Sequence, residues 1–226
     1  MTKSLFFTYQ GVTAFSIDDT GAYYYTTNQM ALDADGSPNA YNPDNTGLDA
    51  LANAGYPHGE WADCLVADPN NPSHPYIQPD GPHAGCFVSM TTLANPNYAH
   101  TDPAKYVDAT SVPYIVFPGF IYAKQGTGSF GSIGIVRNLS NGLQSGFVIA
   151  DEGNYYETLG EVSLCLAERL GGSNLNARNG MGQPNGPFQY VIFPRLHISK
   201  QWPLTEDTIN QLAIAQLKSV GGWPSV

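Results

Sequence analysis

The chain has 226 residues, which is long enough for one well-buried hydrophobic core and short for two. We therefore expect a single catalytic domain over residues 1–226. A hydrophobic share of 42% excludes disorder throughout, and no apolar stretch is long enough to span a membrane. Nineteen acidic and nine basic residues give a net charge of −10, which argues against nucleic acid and anionic lipid as partners. The same negative field would attract a cationic polymer.

The first half of the chain is predicted to begin with strands and to continue in loops. Runs rich in Phe, Tyr and Thr, separated by Gly turns, predict strands at residues 4–9, 12–17 and 22–27. Two apolar positions before an Asn-Ala-Gly stop predict a short helix over residues 46–54. A long Pro-rich loop then leads to a further strand candidate at residues 86–92.

The second half combines short apolar strands with two helices. Strands are predicted at residues 112–117, 132–137, 146–150 and 190–193. Helical spacing of apolar residues predicts helices over residues 160–170 and 205–220, with Thr205 as the N-cap of the second. Together these elements predict a mainly β (α+β) fold, a compact barrel or sandwich with a few peripheral helices and long loops.

Two carboxylates at the ends of neighbouring elements are the candidate catalytic residues. Asp151 ends the apolar run 147–150, and Glu161 follows ten residues later at the start of the predicted helix. Burial beside the strand should raise the pKa of one carboxyl, and the helix dipole should favour ionisation of the other. Glycoside hydrolysis needs such a division, with one protonated acid and one ionised base. The alternative is structural, because acidic residues also cap strands and helices.

The same segment resembles a known enzyme family. FVIADEGNYYETLGEVSLCLAERLG at residues 147–171 is similar to the catalytic segment of glycoside hydrolase family 75, the chitosanases of fungi and bacteria. Further similar segments follow the same order as in that family, at residues 31–49, 86–93 and 105–119. The resemblance implies that Asp151 and Glu161 are the essential pair and that the reaction inverts the anomeric centre, with the two carboxyl groups about 6.5–9.5 Å apart.

The resemblance also has departures and a consequence for the fold. Ala150 stands where the family usually has Gly, and Glu152-Gly153-Asn154 replace its usual turn residues. The strand-turn signature is also similar to the double-psi β-barrel of endoglucanases and lytic transglycosylases, which implies a compact six-stranded barrel as the core. Between the two carboxylates, we favour Glu161 as the general acid and Asp151 as the base.

A second group of residues is predicted to bind substrate. Asp33 and Asp35 are expected to line the cleft and bind the amino group of a glucosamine unit, with Tyr41 and Lys124 completing the set. The alternative for the two aspartates is that they only hold a loop as Asx turns. Their Asp-x-Asp-Gly pattern begins like a calcium loop, but the sixth and twelfth positions lack the required Gly and Glu. We therefore predict no metal and no organic cofactor.

These features favour an endo-acting glycosidase that cleaves β-1,4 linkages in chitosan or a related glucosamine polymer. One rival is a peptidoglycan-cleaving glycosidase or lytic transglycosylase, delivered as an antibacterial effector. The other rival is a non-catalytic carbohydrate-binding module. We expect a monomer that is extracellular or exported, although the N-terminal segment lacks a signal-peptide core. The sequence does not decide whether Cys64 and Cys86 form a disulfide, which export of the protein would permit.

Overall fold

The computed structural model describes residues 3–198 and 201–225 of the chain. Its strands are β1 (Lys3–Tyr9), β2 (Val12–Ile17), β3 (Ala22–Thr27), β4 (Ala31–Asp33), β5 (Ala67–Asp68), β6 (Asn71–Pro75), β7 (Tyr114–Pro118), β8 (Ser132–Asn138), β9 (Gln144–Gly153), β10 (Glu161–Ser163) and β11 (Phe188–His197). Its α-helices are α1 (Gly119–Tyr122), α2 (Leu164–Arg169) and α3 (Glu206–Ser219). The predicted mainly β fold with few helices is therefore confirmed.

The strands form one large sheet rather than a closed barrel. Within the described ranges, nine strands pair in the order β1-β2-β3-β11-β8-β9-β7-β10-β4, and β5 pairs with β6 separately. Strands β1 and β4 lie at opposite edges, so the sheet is open and the predicted six-stranded barrel is not what the structure shows. Local alternation reports which face of a strand is buried, whereas closure depends on strand number, stagger and tilt, which no short pattern encodes.

Most strand predictions are confirmed, and three local predictions are wrong. Residues 46–54 form turns instead of a helix, and residues 86–92 form only isolated bridges. The helix expected from residue 160 begins at Leu164, because residues 161–163 pair with two other strands as β10. Helix α3 is as predicted, and the Thr205 side chain accepts a hydrogen bond from the backbone N–H of Thr208.

Hydrophobic side chains cover both faces of strand β9, which leads into the candidate site. Phe147 and Ile149 join one core cluster, and Val148 and Ala150 join a second cluster on the other face. Helix α3 packs on this second cluster through Ile209, Ala213 and Leu217. Burial on both faces explains why this strand is an unbroken apolar run. No helix in the described residues has the length and apolar character needed to cross a membrane.

Candidate active site

Strands β9, β7 and β10 lie side by side and carry the two predicted catalytic residues. Asp151 belongs to β9, Glu161 opens β10, and β7 runs between them. Strand β4 pairs with β10 in parallel, so that Ser163 lies opposite Asp33. The sheet order thus brings residues from opposite ends of the chain to one place.

A bulge in β9 immediately precedes Asp151. The pairing with β7 passes from Ile115–Ile149 directly to Val116–Asp151, which leaves Ala150 without a partner in the register. A bulge reorients the following side chain, and bulges are common beside active sites. The carbonyl of Ala150 accepts a hydrogen bond from the Leu93 N–H at 2.8 Å, which attaches the neighbouring segment to the strand.

One oxygen of Asp151 accepts three hydrogen bonds. Its Oδ1 accepts from the Thr92 hydroxyl at 2.7 Å, from the Thr92 N–H at 3.0 Å and from the Glu152 N–H at 2.8 Å. Burial raises the pKa of Asp151 to about 6, while these hydrogen bonds act in the opposite direction. Asp151 is therefore a buried carboxyl that retains specific support for its ionised form.

Glu161 lies in a different environment. Within the described residues its carboxyl accepts no hydrogen bond, and burial raises its pKa to about 8, with further contributions from the charges of Glu157, Asp35 and Asp151. The helix dipole expected to ionise Glu161 does not act there, because Ser163 caps helix α2 and Glu161 precedes it in strand β10. Around neutral pH, the protonated form of Glu161 is therefore favoured.

Asp33 and Asp35 complete a group of four carboxyls with Asp151 and Glu161. Asp33 Oδ2 accepts from the Tyr114 hydroxyl at 2.9 Å, and its Oδ1 accepts from the Asp35 N–H at 2.7 Å. Burial raises the pKa of Asp33 well above its ordinary value, and the charge of Asp35 raises it further. We name Asp33, Asp35, Asp151 and Glu161 the acidic group.

Asp35 is held by polar side chains from two loops. Its Oδ1 accepts from the Ser89 hydroxyl at 2.9 Å and from the Cys64 thiol at 3.2 Å. Burial and the Asp151 charge raise the pKa of Asp35 to about 7, and hydrogen bonding from Tyr41, Cys64 and Ser89 opposes that rise. Burial and the Asp35 charge also raise the pKa of the Cys64 thiol, so the thiol is a donor here. All three cysteines, including Cys86, are free, so the Cys64–Cys86 disulfide is not formed.

An open cavity of about 390 Å³ exposes part of this group to solvent. Asp33, Asp35, Tyr41 and Glu161 line it, and Arg178 is its one lining residue with a permanent positive charge. The Arg178 guanidinium donates to the backbone carbonyls of residues 47 and 49, at 3.3 and 2.9 Å. The acidic group is therefore not neutralised by a hydrogen-bonded Arg or Lys within the described residues, and the cavity favours a cationic ligand.

A larger cavity, of about 780 Å³, lies elsewhere, between the loops at residues 76–83 and 99–108. Two of its aspartates hold their own loops: Asp102 Oδ1 accepts from the Ala104 N–H, and Asp108 Oδ1 accepts from the Ser37 hydroxyl. It contains none of the four carboxyls with raised pKa values. We therefore place the candidate site at the smaller, acidic cavity.

The structure brings five of the six predicted site residues together and leaves one out. Asp33, Asp35, Asp151, Glu161 and Tyr41 are mutual neighbours, because each appears among the charges or hydrogen bonds that shift another's pKa. Lys124 was predicted to bind substrate, but its ammonium lies 6.0 Å from the Phe7 ring centroid and it does not line the cavity. It follows helix α1, none of whose residues lines the cavity.

Sequence reasoning missed several residues that support the group. They are Thr92, Ser89, Cys64, Tyr114, Asp49 and Glu157. Ser89 and Thr92 belong to the segment 86–93, which the sequence indicated as a strand candidate and as similar to the family, without pointing to either side chain. An irregular loop carries them, so no strand or helix period indicates which side chain points inwards.

Three members of the acidic group also have the spacing of a cation site. Asp33, Asp35 and Asp151 each place one carboxylate oxygen within 4.8 Å of the others. Oxygen ligands at this spacing suit a hard divalent cation. Burial and the charges of neighbouring carboxylates are enough to account for the raised pKa values of Asp33 and Asp35.

Comparison with known proteins does not assign the chain to a family. No protein-family model matches it, and no curated protein is significantly similar to it.

Proposed function

We propose that this chain is an endo-acting glycoside hydrolase that cleaves β-1,4 linkages in chitosan or a related glucosamine polymer. The observation that carries the proposal is the contrast between Asp151 and Glu161. Asp151 accepts three hydrogen bonds on one oxygen and has a pKa of about 6, whereas Glu161 has a pKa of about 8. Between those values one carboxyl is ionised while the other keeps its proton, as glycoside hydrolysis requires.

In the proposed reaction Glu161 is the general acid and Asp151 is the general base. Glu161 donates its proton to the glycosidic oxygen as the bond to the anomeric carbon breaks. Asp151 accepts a proton from a water molecule, whose oxygen attacks that carbon from the opposite face of the ring. The products are a new reducing end and a new non-reducing end, and the configuration inverts.

Asp33 and Asp35 are proposed to bind the substrate's ammonium groups. Both residues line the acidic cavity, and burial raises the pKa of each carboxyl, with a further rise from the charge of Asp35 on Asp33 and from the charge of Asp151 on Asp35. An ammonium group bound between them would stabilise their ionised forms. The attraction between the ammonium and the carboxylates would then offset their repulsion and favour binding. Such polymers occur outside cells, and the proposal places the enzyme there.

The test is product release from soluble chitosan and, in parallel, from purified peptidoglycan. Wild type is compared with Asp151→Asn and Glu161→Gln, which keep side-chain size and remove the charge or the transferable proton. We expect wild type to cut chitosan and each variant to lose about two orders of magnitude or more in kcat. Glu168→Gln is a matched control, since Glu168 is exposed and lies on the surface of α2.

The other outcomes distinguish the rival functions. Cleavage of peptidoglycan alone would keep the carboxylate mechanism and replace the substrate. Polymer binding without any turnover would point to a carbohydrate-binding module. Turnover that survives both substitutions would show that this carboxylate pair does not carry the reaction.

A further inference from the structure

Four aromatic rings form a continuous row beside the acidic group. Tyr9 stacks on Phe120 with ring centroids 5.1 Å apart, Phe120 meets Tyr155 edge to face at 5.7 Å, and Tyr155 meets Tyr156 edge to face at 4.8 Å. Tyr9 is buried, and exposure increases along the row to 52% at Tyr155 and 74% at Tyr156. We call these four residues the aromatic row.

The outer half of the row lies on the loop that joins the two proposed catalytic residues. Tyr155 and Tyr156 fall between Asp151 and Glu161 in the chain. Glu157 follows them directly, and its charge is the largest electrostatic contribution to the raised pKa of Glu161. Glu157 therefore connects the aromatic row to the acidic group, since it adjoins Tyr156 in the chain and its charge acts on Glu161.

Hydrogen bonds hold this loop against the first hairpin. The Tyr9 hydroxyl donates to the Glu157 carbonyl at 2.7 Å, and the Gln10 side-chain amide donates to the Tyr156 carbonyl at 2.8 Å. These bonds hold the loop backbone, while the two tyrosine rings stay largely exposed. Rings held this way lose little conformational freedom when a ligand stacks on them.

At least one face of the Tyr156 ring is open. In its edge-to-face pair with Tyr155, the Tyr156 ring offers either one face or only its edge to the partner. Each arrangement leaves at least one face of Tyr156 uncovered, which agrees with its exposed fraction of 74%. Exposed apolar rings grouped beside a candidate site mark a binding surface more often than chance. A flat electron-rich face suits the C–H groups of a pyranose ring, and it also attracts an ammonium group.

The charge of the loop favours a cationic sugar as the occupant. Residues 152–160 contain two glutamates, at positions 152 and 157, and no Lys or Arg. Glu152 is exposed, and its Oε1 lies close to Gly119, next to Phe120. A glucosamine unit offers both a stacking face and a positive charge to this combination.

We infer that Tyr155 and Tyr156 form a stacking platform for a glucosamine unit of the polymer, away from the bond that is cleaved. The inference rests on the proposed function and deepens it, because it assigns a further substrate-binding subsite outside the lining of the acidic cavity. A platform at a distance from the reacting atoms binds the ground state and the transition state alike, so it lowers KM and leaves kcat unchanged.

The test is kinetic, with Tyr156→Ala, Tyr156→Phe and the double substitution of Tyr155 and Tyr156 by Ala. We expect Tyr156→Ala to raise KM for the polymer about threefold to tenfold with unchanged kcat, and Tyr156→Phe to stay near wild type. The shortest oligomer that the enzyme cleaves should show no change, since it does not reach the platform. Tyr98→Ala is the matched control, because Tyr98 is 45% exposed and belongs to another loop.

Failure of the platform and failure of the proposed function give different results. A wild-type KM in the double variant, together with loss of turnover in Asp151→Asn, would overturn the platform alone. An unchanged KM with an altered oligomeric state would show that the rings contact a second copy of the chain. If wild type has no turnover, retention on immobilised chitosan decides: retention lost in Tyr156→Ala supports the platform, and retention unchanged overturns it.

Discussion

Asp151 accepts three hydrogen bonds on one carboxylate oxygen, whereas Oδ1 of Asp35 accepts two. Thr92 contributes two of the three, through its hydroxyl and its backbone N–H, and the hydroxyl bond is the shortest at 2.7 Å. Hydrogen bonds to the charged form favour ionisation and lower the pKa of a carboxyl. Thr92 is therefore a positioning residue that acts through Asp151 and keeps its pKa near 6 despite burial.

We predict that Thr92→Val shifts the pH dependence of the proposed chitosan cleavage. Loss of the hydroxyl donor raises the pKa of Asp151, so the acidic limb of the kcat/KM profile moves to higher pH by about one unit. The alkaline limb, which follows Glu161, should move much less. The measurement is the pH profile of kcat/KM on soluble chitosan.

Thr92→Ser provides the control for that experiment, because it restores the hydroxyl without the methyl group. A profile like that of wild type is expected from it. A uniform loss of rate in Thr92→Val, with both limbs in place, would contradict the electrostatic role and indicate a packing role only.

The sequence predicted some of the site residues and not others for identifiable reasons. Asp151 and Glu161 could be found because each follows or opens a regular element, and Asp33 and Asp35 because they form a recognisable turn pattern. Thr92 and Cys64 could not, since their loops reach the group through tertiary contacts alone. Lys124 lies apart from the acidic cavity, and nothing local in the sequence indicates that its ammonium lies over the Phe7 ring.

At the level of elements, two irregularities determine how the carboxyls are presented. The bulge at Ala150 alters the alternation of β9 just before Asp151. The three-residue strand β10 precedes helix α2, where the residue pattern predicted helix from residue 160. Both features depend on pairing with β7, which is distant in the sequence from both elements, so hydrophobic periodicity could not predict them.

The contact between β9 and helix α3 is unusually close at Gly146. A Cβ added there would lie 2.9 Å from the Ala213 Cβ and 3.0 Å from the Ile209 carbonyl oxygen. The Gly146 N–H also donates to Oδ1 of Asn210 on the same helix. Glycine is required here by the proximity of the helix backbone, and the contact fixes α3 against the strand that carries Asp151.

We predict that Gly146→Ala lowers the free energy of unfolding by about 1–3 kcal/mol, because the added methyl group overpacks a rigid interface. Chemical denaturation of the purified variant measures this. Ala213→Gly removes the nearest obstructing atom, so the double variant should be more stable than the sum of the two single effects predicts. Additivity within about 0.5 kcal/mol would show that the two positions do not interact.

For the whole molecule, the sequence predicted the class of fold and most strand positions, but not the open nine-stranded sheet. The first hairpin illustrates the reason. In β1 the buried Phe7 and Tyr9 lie on either side of the exposed Thr8, and that local pattern is the same whether the hairpin closes a barrel or extends a sheet. Whether the hairpin closes a barrel or extends a sheet depends on the strand that pairs with the other edge of β3. That strand is β11, more than 160 residues later in the chain.

The acidic group also makes the stability of the whole molecule depend on pH. Burial raises the pKa of Asp151 to about 6, of Asp35 to about 7 and of Glu161 to about 8. Over the range between ordinary carboxyl values and these values, the folded chain binds more protons than the unfolded chain. The free energy of unfolding contributed by these groups is therefore fully present below about pH 4 and is lost as the pH rises towards about 8.

We predict that Glu161→Gln makes the protein more stable than wild type at alkaline pH, although the proposed mechanism expects it to lose activity. Glutamine cannot ionise, so the repulsion that Glu161 feels from Glu157 and Asp35 disappears. Because one unit of raised pKa corresponds to about 1.4 kcal/mol, the gain near pH 8.5 should exceed about 1 kcal/mol, with little difference near pH 4. Denaturation curves at both pH values measure it, with the exposed Glu60→Gln as the control. Destabilisation by Glu161→Gln at the alkaline pH would show that the Glu161 charge supports the fold, and it would remove the physical basis for its role as a proton donor.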